Sequence, residues 1–235
     1  MNIIKSRYSI LEDITTVAIL ADPGCRAGWE KNFPPILDHV WKTHRPGAFL
    51  VAGDMSLNSH PEEYETIIGM TAPYPAVIAA VPGDHDRPVK NFMKYFGTTR
   101  KVVDIGEWRF IMANTSDRMF LKKEADFIEG NLRERNVILS HVPPEAEGWT
   151  FHSLWPRSSD RFLALIDAHR DRIRAAFFGH IHGHSVRERS GVPLIATGGI
   201  AESKIVRGNR YDGDGRLQMM VFDIPTGEIS LCEMP

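Results

Sequence analysis

Short apolar runs alternate with helical stripes along most of this chain. "TTVAILAD" (15–22) is rich in Val, Ile and Leu and ends on an acid, which predicts a buried strand. Phe33, Ile36, Leu37, Val40 and Trp41 then recur at helical spacing, with Asn32 placed to cap the helix and Pro34 and Pro35 in its first turn. "AFLVAGD" (48–54) and "AVIAAVPGD" (76–84) predict two more strands, with a helix through Tyr64, Ile67 and Ile68 between them. This β-α-β-α-β order predicts a parallel sheet with helices on its faces. Strands follow near 101–104 and 109–113, then a helix on Leu121, Ala125, Ile128 and Leu132. "NVILSH" (136–141), a helix through Phe162, Leu165 and Ile166, and "AAFFGH" (175–180) continue the alternation. "VPLIATGG" and "LQMMVFDI" predict strands of an antiparallel closing sheet.

No repeat, low-complexity tract or linker interrupts the pattern, so residues 1–235 read as one domain. With 43% hydrophobic and 25% charged residues, the chain has enough apolar mass for a sizeable core. Its formal net charge of -2 gives no general attraction to nucleic acid or to an anionic membrane surface. The longest apolar runs are strand-sized, far short of a membrane span. Cys25 and Cys232 are the two cysteines, which argues against a disulfide framework and for a reducing, cytoplasmic setting. "MNIIKSRYSILED" at the start shows no secretory leader.

Chemistry collects where the strands end. The first ends at Asp22, the second at Asp54, the third at Asp84-His85-Asp86, a later one at His141 and another at His180-Ile181-His182. In an open parallel sheet these carboxyl ends share one edge, where ligands bind. Carboxylate oxygen and neutral imidazole suit Zn, Mn, Fe and related divalent ions, and there is no thiolate cluster to indicate a structural zinc. In an extended backbone His180 and His182 point the same way and can serve two neighbouring ions, which a carboxylate such as Asp54 can bridge.

The order Asp22, Gly53-Asp54, Gly83-Asp84-His85-Asp86, His141, Gly179-His180-Ile181-His182 resembles the calcineurin-like metallophosphoesterase superfamily. Its blocks run Asp-x-His, Gly-Asp, Gly-Asn-His-Asp/Glu, a single His and Gly-His-x-His. The resemblance implies an α/β sandwich of two central mixed β-sheets flanked by helices, in four αββα layers. It also implies two divalent metal ions, the first held by Asp22, Asp54 and His182, the second by Asp54, Asp84, His141 and His180. This chain departs from the pattern twice, with Gly24 in place of the histidine and Asp84 in place of the asparagine. The first site is therefore expected to be the weaker, unless Cys25 as a ligand or Arg26 on phosphate compensates.

The implied activity is hydrolysis of a phosphate ester by metal-activated hydroxide. His85 would donate a proton to the leaving oxygen or stabilise it, and Asp86 would accept from its other nitrogen and fix the tautomer. Phosphomonoesters, cyclic nucleotides, phospholipid-like diesters and nucleic acid all remain as substrates. The reading leans to small or protruding phosphodiesters, and the near-neutral charge counts against extended nucleic acid. The alternative is a catalytically weak metal-binding scaffold of the same fold, such as the retromer scaffold subunit. His85 argues for the enzyme. In the irregular stretch 144–159, Trp149, Phe151, His152, Trp155 and Arg157 either form a lip that stacks on a base or anchor the loop to the core.

Overall fold

Two sheets stack face to face, and helices cover their outer faces. The computed structural model describes residues 2–24, 29–149, 152–198, 200, 205–206, 209–210 and 217–234. In chain order its elements are β1 (Asn2–Ile3), β2 (Tyr8–Leu11), β3 (Thr16–Leu20), α1 (Trp29–His44), β4 (Ala48–Ala52), α2 (Pro61–Thr71) and β5 (Val77–Val81). Then come α3 (Val89–Phe96), β6 (Lys101–Ile105), β7 (Trp108–Met112), α4 (Lys122–Glu129), β8 (Asn136–Leu139) and α5 (Pro156–His169). The chain continues through β9 (Ile173–Phe178), β10 (His184–Arg189), β11 (Val192–Thr197), β12 (Ile205–Val206), β13 (Asn209–Arg210), β14 (Gln218–Asp223) and β15 (Ile229–Glu233).

Sheet one has the order β1-β5-β4-β3-β14-β15, and sheet two β10-β11-β9-β8-β7-β6-β2. Both are mixed: β3, β4 and β5 run parallel while β14 runs antiparallel to β3. In sheet two, β7, β8, β9 and β11 run parallel while β6 and β10 pair antiparallel. The strand period of two explains the layering. Val17, Ile19, Leu50 and Val81 of sheet one meet Phe110, Met112, Leu139 and Phe177 of sheet two in a shared seam. The alternate residues Ala18, Leu20, Phe49 and Val51 turn outward onto Phe33, Leu37 and Val40 of α1, Tyr64 and Ile67 of α2 and Phe92 and Phe96 of α3. On sheet two, Ile111, Ile138 and Phe178 pack against Ile128 of α4 and Phe162 and Ile166 of α5. Central strands buried on both faces are why the sequence reads there as continuous apolar runs.

Several expectations are corrected. The two stacked mixed sheets are those the family resemblance implies, whereas the alternation read along the chain accounts for sheet one alone: β7, β8 and β9 belong to sheet two. The two tail runs do not pair in one closing sheet: β11 joins sheet two beside β9, β14 joins sheet one beside β3, and only the short β12 and β13 pair apart from both among the described residues. Helix α1 starts at Trp29, so Asn32 lies within it and donates its side-chain amide to Ile200 O at 3.2 Å instead of capping. Pro34 and Pro35 consequently sit inside the helix, beyond its first turn.

Candidate metal centre

The carboxyl ends of β3, β4 and β5 bring Asp22, Asp54 and Asp84 to one end of sheet one, and those of β8 and β9 bring His141, His180 and His182 up against them from sheet two. The rim of a single sheet is thus replaced by the mouth between two. His141 Nε2 is 2.8 Å from Asp84 Oδ1 and 3.4 Å from Asp54 Oδ2. His180 Nδ1 is 2.9 Å from the same Asp84 oxygen, and its backbone N–H donates to both Asp22 oxygens at 3.1 Å. His182 Nε2 lies 3.6 Å from Asp22 Oδ1.

The backbone is bent to achieve this. Asp22, Asp54, His180 and His182 all have left-handed φ values, 59°, 56°, 67° and 60°. Such angles cost non-glycine residues energy and concentrate at functional sites. Strand β9 ends at Phe178, so His180 and His182 enter the site from a tight left-handed turn, not through strand alternation as expected. Glycines clear the space. A Cβ on Gly53 would overlap the His141 ring, and one on Gly83 would overlap the Asp54 carboxylate.

Two groups of donors have the proximity to hold a cation: Asp84, His141 and His180, and Asp22, Asp54 and His141. The second differs from the expected set, since His141 falls within it while His182 reaches it through Asp22. Asp54 Oδ2 is buried and receives no hydrogen bond, a cost that a cation removes. The His141 ring is fully buried, which disfavours its charged form, yet Asp54, Asp84 and Asp22 outweigh that and raise it to about 10. Asp84 is held far below the usual carboxylate range: hydrogen bonds and charge from His141 and His180 overcome its desolvation. A pocket of three carboxylates that keeps an imidazole protonated is one that favours positive charge, so the residues fit divalent ions. The carbonyl of Ala52, 2.9 Å from His141 Nδ1, can only accept, so it keeps a proton there and makes Nε2 the nitrogen that a cation would take by displacing the proton it shares with Asp84.

Gly24 N–H donates to Asp54 O at 3.0 Å, stitching the first turn onto the second. A Cβ on Gly24 would lie 2.6 Å from Met55 O and 2.8 Å from Ser56 Cα, both backbone atoms. No side chain fits at Gly24 without moving the turn that carries Asp54. Cys25 and Arg26, named as compensators, lie outside the described residues, as does Phe151.

His85 stands beside the cluster, half-buried, with its N–H donating to Asp54 Oδ1 at 3.0 Å. Its Nδ1 lies 2.8 Å from Leu57 O. Leu57, not Asp86, therefore fixes the tautomer and leaves Nε2 for a substrate. Asp86 is fully buried and turned the other way: it accepts from Met55 N at 3.1 Å, Ser56 Oγ at 2.9 Å and Gly83 N at 2.9 Å. It ties together the loops after β4 and β5. Burial, then the Asp54 charge, raises its carboxyl to about 7 against the pull of those three donors. Backbone carbonyls such as Ala52 and Leu57 carry no sequence signal, and Ser56 is one serine among many.

A model of the calcineurin-like phosphoesterase family matches residues 15–184. A 3',5'-cyclic-nucleotide phosphodiesterase from Nostoc is 28% identical over 162 residues, 63% of this chain and 60% of that protein. The chain thus matches about three-fifths of that relative's length. Among solved structures, a dimetal phosphatase from Danio rerio superposes with a TM-score of 0.63 at 13% identity, over 94% of this chain and 99% of that one. GAP50, the anchor in the inner membrane complex of Plasmodium, superposes with a TM-score of 0.68 at 10% identity, over 94% and 84%. These two likenesses show the fold alone. The family match spans every ligand-type residue described above, and the chain belongs to the calcineurin-like phosphoesterase family.

Proposed function

We propose that this chain is a metal-dependent phosphodiesterase working as a single domain on small or protruding phosphodiesters, 3',5'-cyclic nucleotides among them. What supports the reading is the meeting of six Asp and His side chains around a buried Asp54 oxygen that lacks a hydrogen bond, with His85 alongside. The cyclic-nucleotide substrate comes from the named activity of the Nostoc relative. Two divalent ions, manganese, iron or zinc, supply Lewis acidity to the phosphoryl oxygens and lower the pKa of an attacking water. Asp54 would be shared between the two ions, and Asp84, His141 and His180 would hold the second with it. Asp22 and His182 complete the first. With position 24 closed to any side chain, the first site has fewer protein ligands and fills after the second. His85 Nε2 faces the leaving-group oxygen and steadies the charge that develops there. Asp86 holds the two ligand-bearing loops in register. Among the described residues Cys232 is a free, buried thiol, the reading places the protein in a reducing cytoplasm, and no described helix is long and apolar enough to cross a membrane.

The rival reading, a metal-binding scaffold with little catalysis, draws on the closed position at Gly24 and on a fold likeness that extends to an anchor protein. Incubation with manganese and bis-p-nitrophenyl phosphate, or with cyclic AMP, separates the two. Manganese-dependent hydrolysis supports the enzyme. Its absence from mildly acidic to mildly alkaline pH, in a protein that has bound metal, turns the assignment to the scaffold.

A further inference from the structure

Trp155 is 57% exposed, yet its backbone is hydrogen-bonded at both its N–H and its carbonyl. Its N–H donates to Arg118 O at 3.1 Å, and its carbonyl accepts from Ser158 N and Ser159 N at 2.8 and 2.9 Å as the start of α5. The Arg118 guanidinium lies over the indole, 5.2 Å from its centre, and donates to Ser153 O at 2.9 Å. An exposed indole on a fixed backbone, braced by a cation, is a preorganised surface for a flat ligand.

The segment that carries Trp155 starts at the metal centre and touches it again at His152. It leaves His141 through Val142, whose N–H donates to Thr115 Oγ1 at 2.8 Å, and returns at Leu154, whose N–H donates to Pro143 O at 2.8 Å. Between these points the His152 ring sits 5.4 Å from the His180 ring. Trp149 takes the other role foreseen for this stretch: it is buried, donates to Ser185 Oγ at 2.9 Å and anchors the loop to the core. Trp155 belongs to neither core and pairs with no aromatic side chain among the described residues.

We infer that Trp155, backed by Arg118, is a stacking platform for the nucleobase of a nucleoside phosphate whose phosphoryl group lies at the Asp and His cluster. The assignment rests on the phosphate-ester reading of that cluster and adds to it the base as a recognised part of the substrate. Base-aromatic stacking tolerates any base, so the platform selects nucleotides over plain phosphate esters without choosing strongly among bases.

The test is calorimetric binding of 5'-AMP and of inorganic phosphate to the manganese-loaded protein, compared with Trp155→Leu and Trp155→Phe. Trp155→Leu is expected to weaken AMP by about tenfold or more while phosphate moves by less than about twofold, and Trp155→Phe to recover most of the loss. In turnover of cyclic AMP the same variant is expected to raise KM rather than lower kcat. Equal weakening of AMP and phosphate, or no weakening of AMP, overturns the platform even if the wild type hydrolyses cyclic AMP. A Trp155-dependent preference for AMP in a protein that hydrolyses no ester keeps the platform and overturns the phosphodiesterase.

Discussion

His141 Nε2 and Asp84 Oδ1 meet at 2.8 Å and so join the ends of the two sheets. Each comes from the turn after a central strand, β8 of one sheet and β5 of the other, and neither sheet alone holds a complete ligand set. Any account of activity therefore depends on how the sheets are stacked as much as on the residues themselves.

His85 touches the cluster only through its backbone N–H to Asp54, and its ring is held by Leu57 O. His85→Asn is expected to keep its metal content while turnover of a phosphodiester falls by ~10²–10⁴. Elemental analysis alongside steady-state rates checks this. Unchanged turnover removes His85 from the chemistry.

Asp86→Ala should act on stability first. It leaves the donors of Met55, Ser56 and Gly83 without their common acceptor, at a cost of about 3 kcal/mol or more. Urea unfolding of the metal-free protein measures it. A variant as stable as the wild type but catalytically dead would return Asp86 to the role beside His85 that the sequence suggested.

Gly24→His supplies the imidazole that the family pattern has, yet the new Cβ presses on Met55 O and Ser56 Cα. That backbone is pinned by Asp86 and cannot readily retreat. The variant is expected to lose about 1–3 kcal/mol of stability and to gain no manganese affinity at the first site. Tighter first-site binding in a calorimetric titration contradicts this.

Lys101 is fully buried, and its Nζ donates to Phe96 O at 2.7 Å and Thr98 O at 2.6 Å. Burial lowers it from 10.5 to about 7. Between those values the unfolded chain holds a proton that the folded chain has given up, so stability rises with pH through the window. From neutral pH to two units above it the rise is about 2 kcal/mol, and Lys101→Met should abolish it. Denaturant unfolding of both proteins at the two pH values decides. Parallel profiles count against a buried neutral amine.

The candidate ligand residues were legible because chemistry at strand ends leaves a sequence trace: an acid or histidine after an apolar run, preceded by glycine at Asp54, Asp84 and His180. Their assembly was less so. Two sheets in place of one follow from pairing across long stretches, such as β11 with β9 and β14 with β3, which local periodicity does not encode. Short or polar edge strands such as β2 and β10 carry too little apolar alternation to read. The partners of His85 and His141 are backbone carbonyls, and the steric closure at Gly24 comes from a neighbouring turn. Asp86 is next to His85 in sequence but accepts from Met55, Ser56 and Gly83, a set of partners that adjacency does not reveal.

Anomalous diffraction from crystals of the manganese-loaded protein tests the central claim most directly. Two peaks should appear between the sheets, one among Asp84, His141 and His180 and the other beside Asp22 and His182, with Asp54 common to both and the peak beside Asp22 the fainter when manganese is limiting. A folded, manganese-reconstituted protein with no ion among these six side chains would contradict the account.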